Sequence, residues 1–237
     1  MQKVDFDFER KRLIDSELRE YGIKNEAVLR AMREVPREEF VSDEMREFAY
    51  LNVALPINSG QTISQPYIVA LMAEVLAIAP GDRVLEIGTG SGYAAAVLSR
   101  LAKDVYTVER LGDLAKSARS ILERLGYTNI HVLHGDGTLG WPEEAPFDAI
   151  VVAAGGPQFP PALLQQLRIG GRMVIPVGEE AHAQRLILMI RRGTDDFEQR
   201  DLGGVRFVSL IGKAGWHVDD DDDKSMAAFP RARPVCF

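Results

Sequence analysis

Three glycines at alternate positions, Gly88, Gly90 and Gly92, follow an apolar run in Val84-Leu85-Glu86-Ile87-Gly88-Thr89-Gly90-Ser91-Gly92. Without Cβ atoms the backbone there can turn sharply and approach a ligand closely. Two acids stand at matching places further on. Glu109 ends Val105-Tyr106-Thr107-Val108-Glu109, and Asp136 sits in Gly135-Asp136-Gly137 after another apolar run. A carboxylate like Glu109 can accept hydrogen bonds from both hydroxyls of a ribose. One like Asp136 can accept from an adenine amino group. Each acid alone reads as an ordinary solvated carboxylate. Three acids, Glu86 included, at the ends of three successive apolar runs beside a G-x-G-x-G turn read as a nucleoside site.

The spacing narrows the ligand. A dinucleotide fingerprint is G-x-G-x-x-G, with the pyrophosphate on a helix N-terminus. Counted from Gly88, the sixth position is Tyr93. Glu86 would repel a pyrophosphate but suits a cationic ligand. S-adenosyl-L-methionine carries an ammonium and a sulfonium, so it is favoured over NAD.

These residues need a scaffold that brings strand ends together. Strands are expected at 83–87, 104–108, 130–134, 148–153, 172–177, 186–191 and 205–210, from short β-branched runs. Helices are expected at 93–102, 114–125 and 161–167, with a turn after Thr138. Alternating β and α implies an α/β fold with a doubly wound, mostly parallel seven-stranded sheet covered on both faces. The last two strands lack a long helix between them and read as an antiparallel edge hairpin. The N-terminal third reads helical. Leu13, Ile14, Leu18 and Tyr21 keep helical spacing up to Gly22. Asn25 suits an N-cap for Val28, Leu29, Met32 and Val35, which Pro36 ends. Another helical stretch starts at Gln65. The expected organisation is a helical cap over residues 1–80, a nucleotide-type core over 81–218 and a tail over 219–237.

Composition sets outer bounds. The chain has 237 residues and a net charge of -7, with 46% hydrophobic and 27% charged residues. That argues against a disordered chain, and the acidic total argues against a nucleic-acid partner. A lone cysteine, Cys236, excludes an intrachain disulfide or a Cys-based zinc finger. No apolar run approaches the ~20 residues of a membrane span, and the first residues do not read as a secretory signal, so a cytoplasmic setting is expected. His131 and His134 fall on opposite faces of one strand, and His182 and His217 are isolated, so no metal site is expected. Trp141 and Trp216 read as packing anchors. Asp219–Asp223 followed by Lys224 resembles an enterokinase cleavage site, so the tail reads as a vector remnant or an extension outside the fold.

Across residues 13–216 the sequence resembles the protein-L-isoaspartate O-methyltransferase family. The most specific stretch is Gly60-Gln61-Thr62-Ile63-Ser64-Gln65-Pro66, which general S-adenosylmethionine-dependent methyltransferases lack. Val35-Pro36-Arg37-Glu38-Glu39-Phe40-Val41, the run Gly170–Gly178 and Val205-Arg206-Phe207-Val208-Ser209-Leu210 are also similar. The resemblance implies methyl transfer from S-adenosylmethionine to the α-carboxylate of L-isoaspartyl residues in damaged proteins, giving an ester that collapses to a succinimide. It implies Ser64 as the active-site serine. It places Gln65, Pro66 and Tyr67 beside the cofactor, with Gly88, Glu109, Asp136, Gly137 and Ile211 contacting it; the glycine turn and its preceding acid add Gly90, Gly92 and Glu86 as cofactor-binding residues. Thr62, Ile63, Ser64, Val205 and Val208 would bind the substrate. Some members carry Asp where this chain has Glu86, and the family often has Pro at Ser209.

A carboxylate substrate is ionised near pH 7, so it can attack a sulfonium methyl without a general base. Alignment and partial desolvation are what the protein must supply. The competing reading of Ser64 is a helix N-cap ahead of Pro66. The competing functions are another S-adenosylmethionine-dependent methyltransferase and a non-catalytic nucleoside-binding protein.

Overall fold

A computed structural model describes residues 4–180 and 183–217. The expectations for residues 219–237 and for His182 lie outside the described residues.

The cap begins with α1 (Phe6–Arg12), which runs into a wider turn of helix that buries Leu13, Ile14 and Leu18. Helix α2 (Glu26–Glu34) starts where expected. The Asn25 side chain accepts from the Ala27 and Val28 amides at 2.9 and 3.4 Å. The carboxylate of Glu74 on α3 (Pro66–Leu76) accepts from the Lys24 and Asn25 amides, both at 2.9 Å, so the turn before α2 is tied to α3. Between α2 and α3 the cap holds a two-strand antiparallel pair, β1 (Leu55–Pro56) and β2 (Thr62–Ile63). Two-residue strands leave no periodic trace in a sequence, and none was expected there.

The sheet has seven strands in the order β5-β4-β3-β6-β7-β8-β9. They are β3 (Arg83–Ile87), β4 (Asp104–Glu109), β5 (Ile130–His134), β6 (Phe147–Val152), β7 (Leu167–Glu180), β8 (Ala183–Arg191) and β9 (Phe197–Val205). Strands β3 to β7 run parallel; β8 and β9 are antiparallel to their neighbours. The central strands carry apolar residues on both faces because both faces are covered. On one face, Val84, Val105, Val151 and Val174 share a single apolar cluster with cap residues such as Leu29, Met32 and Ala70, and with α4 (Tyr93–Ser99). Leu122 of α5 (Gly112–Arg124) joins the same cluster. On the other face, Leu85, Ile87, Ile150 and Val152 pack with Leu163 of α6 (Pro161–Gln166). The winding reverses between β3 and β6, and a crevice opens beyond strand ends at such a point.

One expected strand is misplaced. The final strand is Phe197–Val205, not 205–210. Its ladder with β8 stops at Val205 opposite Gln184. The chain then leaves the sheet edge as a strap that reaches the end of β6. There the Gly155 amide donates to the Val208 carbonyl and the Leu210 amide donates to the Gly155 carbonyl, both at 2.8 Å. Ser209 forms an isolated parallel bridge with Gly155. The apolar alternation of 205–210 thus marks a strap facing a crevice.

Candidate active site

The loop after β3 depends on glycine. Gly88, Gly90 and Gly92 all take positive φ, at 92°, 53° and 90°. Side chains rarely tolerate that region. The Gly88 amide donates to the Val108 carbonyl at 2.9 Å, which holds the loop against the end of β4. Gly92 opens α4 and sits against Leu122 and Ala118. A Cβ on Gly137 would overlap Cγ2 of Ile87, so that position also admits only glycine without rearrangement.

These elements wall a cleft of about 820 Å³, counting its open mouth. Such a volume suits a small-molecule ligand. Thr62, Ile63 and Ser64 come from the cap, and Gly88, Gly90 and Glu109 from the strand ends. Gly137 lines a further part, and Val208 and Ile211 come from the strap. Nine of the expected site residues therefore share one wall.

The three acids diverge. Glu109 is on the wall and largely buried; its Oε2 accepts from the Gly90 amide and its Oε1 from the Leu111 amide, both at 2.9 Å. Each oxygen has a further lone pair, so the carboxylate can still accept from ligand hydroxyls. Glu86 lies behind the wall and is fully buried. Register sets it beside Thr107, whose hydroxyl donates to Oε2 at 2.6 Å. Burial pushes the Glu86 carboxyl up to about 8; the Thr107 hydrogen bond opposes this and the negative charge of Glu109 adds to it. Asp136 also turns away from the wall. Its Oδ1 accepts from the Thr138 amide and hydroxyl at 2.9 and 2.7 Å, and its Oδ2 from the Lys213 amide at 2.8 Å.

Five other expected residues do not line the cleft. The Gln65 side chain donates to the Asn52 carbonyl at 2.8 Å, and the Tyr67 amide donates to Asn52 Oδ1 at 3.0 Å. The Tyr67 ring meets Tyr21 edge-on at 5.5 Å. Pro66 is buried in the first turn of α3, Gly92 is beneath the loop, and Val205 ends β9. Gln65, not Ser64, is the N-cap of α3. The Ser64 hydroxyl has no hydrogen-bond partner among the described residues and lines the cleft. Thr89, Val69, Arg110, Leu111, Ala153, Ala154, Ser209 and Leu210 also line it and were not anticipated. Ala153 and Ala154 had a signal, since they follow β6 next to the glycine turn. His131 stacks on Tyr106, whereas His134 meets the Arg110 carbonyl at 3.1 Å, so the two histidines serve different partners. Trp141 meets Tyr106 edge-on, and Trp216 donates through Nε1 to the Gly155 carbonyl at 3.0 Å.

A profile of the protein-L-isoaspartate(D-aspartate) O-methyltransferase family matches residues 9–215. The chain belongs to this family. A protein-L-isoaspartate O-methyltransferase 2 from Pelobacter propionicus is 59% identical over 210 residues, 89% of this chain and 93% of the relative. A solved protein-L-isoaspartate O-methyltransferase superposes with a TM-score of 0.79 at 32% identity, covering 87% of this chain and 67% of that one. A Plasmodium falciparum protein described as an isoaspartate O-methyltransferase, solved with S-adenosyl-L-homocysteine, gives 0.74 at 26% identity over 85% and 98% of the two chains.

As a site for an isoaspartyl methyltransferase, the donor set fits a cationic nucleoside. Glu109 offers a carboxylate on the wall, the glycine loop admits close approach, and Gly137 lines the same cleft, packed against Ile87. Glu86 Oε1 has no protein partner, and is one of three such buried side-chain atoms among the described residues. No helix of the described residues is long and apolar enough to cross a membrane.

Proposed function

We infer that this chain transfers a methyl group from S-adenosyl-L-methionine to the α-carboxylate of L-isoaspartyl residues in damaged proteins. The methyl ester then collapses to a succinimide that reopens in part to aspartate, which is the repair. The observation that carries the reading is Ser64: an unengaged hydroxyl lining the same cleft as Glu109 and the glycine loop.

When bound, S-adenosylmethionine supplies an electrophilic methyl; the carboxylate O–C bond forms as the C–S bond breaks, with the electron pair left on sulfur. The protein's part is placement. Glu109 accepts the ribose hydroxyls, with Gly90 and Leu111 fixing its oxygens. Gly137 and Ile211 would help hold the nucleoside, and Asp136 acts from behind them by tying Gly137–Thr138 to Lys213. Gly88 and Gly90 allow close backbone approach, with Gly92 and Glu86 supporting the loop from beneath. Gln65, Pro66 and Tyr67 hold the edge of the site through Asn52. Ser64 donates a hydrogen bond to one oxygen of the substrate carboxylate and leaves the other aimed at the methyl. Thr62, Ile63 and Val208 hold the substrate backbone, with Val205 at the root of the strap. No general base is needed, because the substrate carboxyl is ionised at neutral pH. A neutral Glu86 keeps one negative charge out of a site that must admit a carboxylate.

In this reading residues 1–80 form the substrate-side cap and 81–218 the cofactor-binding core. The partners are isoaspartyl peptides and proteins, and the setting is cytoplasmic. Methyl incorporation into an isoaspartyl peptide and its aspartyl twin tests the function. Base-labile label on the isoaspartyl peptide alone is expected. Label on both or neither overturns it, and cofactor binding without transfer would indicate a non-catalytic nucleoside-binding protein.

A further inference from the structure

The strap that closes the cleft is held at two separate places. Its far end is anchored to the core. The Trp216 amide donates to the Leu210 carbonyl at 2.8 Å, Lys213 donates to Asp136 at 2.8 Å, and the Ala214 amide donates to the Thr138 hydroxyl at 3.1 Å. Its near end has left the sheet. Phe207 lies beyond the last ladder pair, so no strand supplies partners for its backbone.

Gln184 supplies them. It is the β8 residue opposite Val205 and is almost fully buried. Its Oε1 accepts from the Phe207 amide at 2.7 Å, and its Nε2 donates to the Phe207 carbonyl at 3.2 Å. One side-chain amide thus imitates a further residue of the β ladder. The amide is fixed from behind as well: a Cβ on Gly155 would come within 2.5 Å of Gln184 Cδ and Nε2, so Gly155 leaves the room it occupies. Gly155 also bonds Val208 and Leu210. A buried amide with both ends engaged has one well-defined orientation.

We propose that Gln184 is a positioning residue for the isoaspartyl substrate: through Phe207 it sets where Val208 stands in the cleft, while the anchors beyond Leu210 set Ile211 independently. This rests on the reading of Val208 as a substrate contact. The side-chain clamp therefore acts on peptide binding and leaves cofactor binding alone.

Gln184→Met keeps size and removes both side-chain hydrogen bonds to Phe207. Its expected signature is a rise of about tenfold in KM for an isoaspartyl peptide, matching the loss of a hydrogen-bonded constraint. kcat and the S-adenosylmethionine Kd should stay within about twofold. Amide hydrogen exchange should speed up at Phe207 and not at Gly212 or Trp216. An unchanged KM, or equal losses in peptide and cofactor affinity, overturns the proposal. Should the variant not fold, exchange in the unaltered protein decides: protection of the Phe207 amide comparable to that of Leu210 supports the clamp, and free exchange at Phe207 defeats it. An unaltered protein that methylates no isoaspartyl peptide would instead defeat the functional reading, a result separate from an active enzyme with an indifferent Gln184 variant.

Discussion

The hydroxyl of Thr107 donates to Glu86 Oε2 at 2.6 Å from the adjacent parallel strand, inside the wall between cleft and core. The Thr107 hydroxyl also meets the Thr89 hydroxyl at 2.6 Å. A hydrogen-bonded chain therefore joins Thr89, which lines the cleft, to a buried carboxyl.

Glu86 makes stability depend on pH in an unusual direction. Its folded value of about 8 lies above the ordinary value near 4.5. The native state therefore holds a proton that the unfolded state has lost between those limits. The contribution is full below the unfolded value and is lost as pH rises through the folded one, at up to about 1.4 kcal/mol per pH unit. Glu86→Gln should flatten this. Urea unfolding from pH 5 to 8.5 should show the unaltered protein losing stability more steeply than the variant; parallel curves would refute a buried neutral carboxyl.

Ser64→Ala removes one donor to a charged oxygen, worth about 1.5–3 kcal/mol. Turnover on an isoaspartyl peptide should fall about ten- to hundredfold. The S-adenosylmethionine Kd, read by calorimetry, should hardly move. Unchanged turnover would remove Ser64 from the reaction.

Glu109→Gln turns an amide N–H toward a backbone donor, because Gly90 and Leu111 both require acceptors. Leaving such a group unpaired costs about 1–3 kcal/mol. A cofactor Kd raised about tenfold or more is expected, with a lowered Tm. Cofactor affinity equal to that of the parent would contradict the ribose role.

Gly137→Ala places a methyl on Cγ2 of Ile87, a β-branched side chain that is 2% exposed. Overpacking of this kind costs about 1–3 kcal/mol, and the urea midpoint should drop accordingly. A midpoint matching the parent would mean that Ile87 can swing aside.

Strands such as Arg83–Ile87 and Ile130–His134 were legible because their apolar runs sit between turn residues. Strand β9, Phe-Glu-Gln-Arg-Asp-Leu-Gly-Gly-Val, was not: an edge strand open to water needs no apolar face, so its residues carry no pattern. Sequence also located the acids along the backbone but not their side-chain partners. Glu109 met the cleft, whereas Asp136 was taken up by Thr138 and Lys213, groups 2 and 77 positions away. The wall residues Val69 and Arg110 belong to a helix and a turn whose approach to the cleft only packing decides.

The strap has a consequence for synthesis. The cleft takes one wall from Thr62–Ser64 and another from Val208–Ile211, which are translated far apart. A nascent chain halted before Val208 already carries the glycine loop and Glu109 yet lacks the opposing side of the site. A complete cleft therefore cannot precede synthesis of the strap, by which point most of the parallel sheet can already have formed.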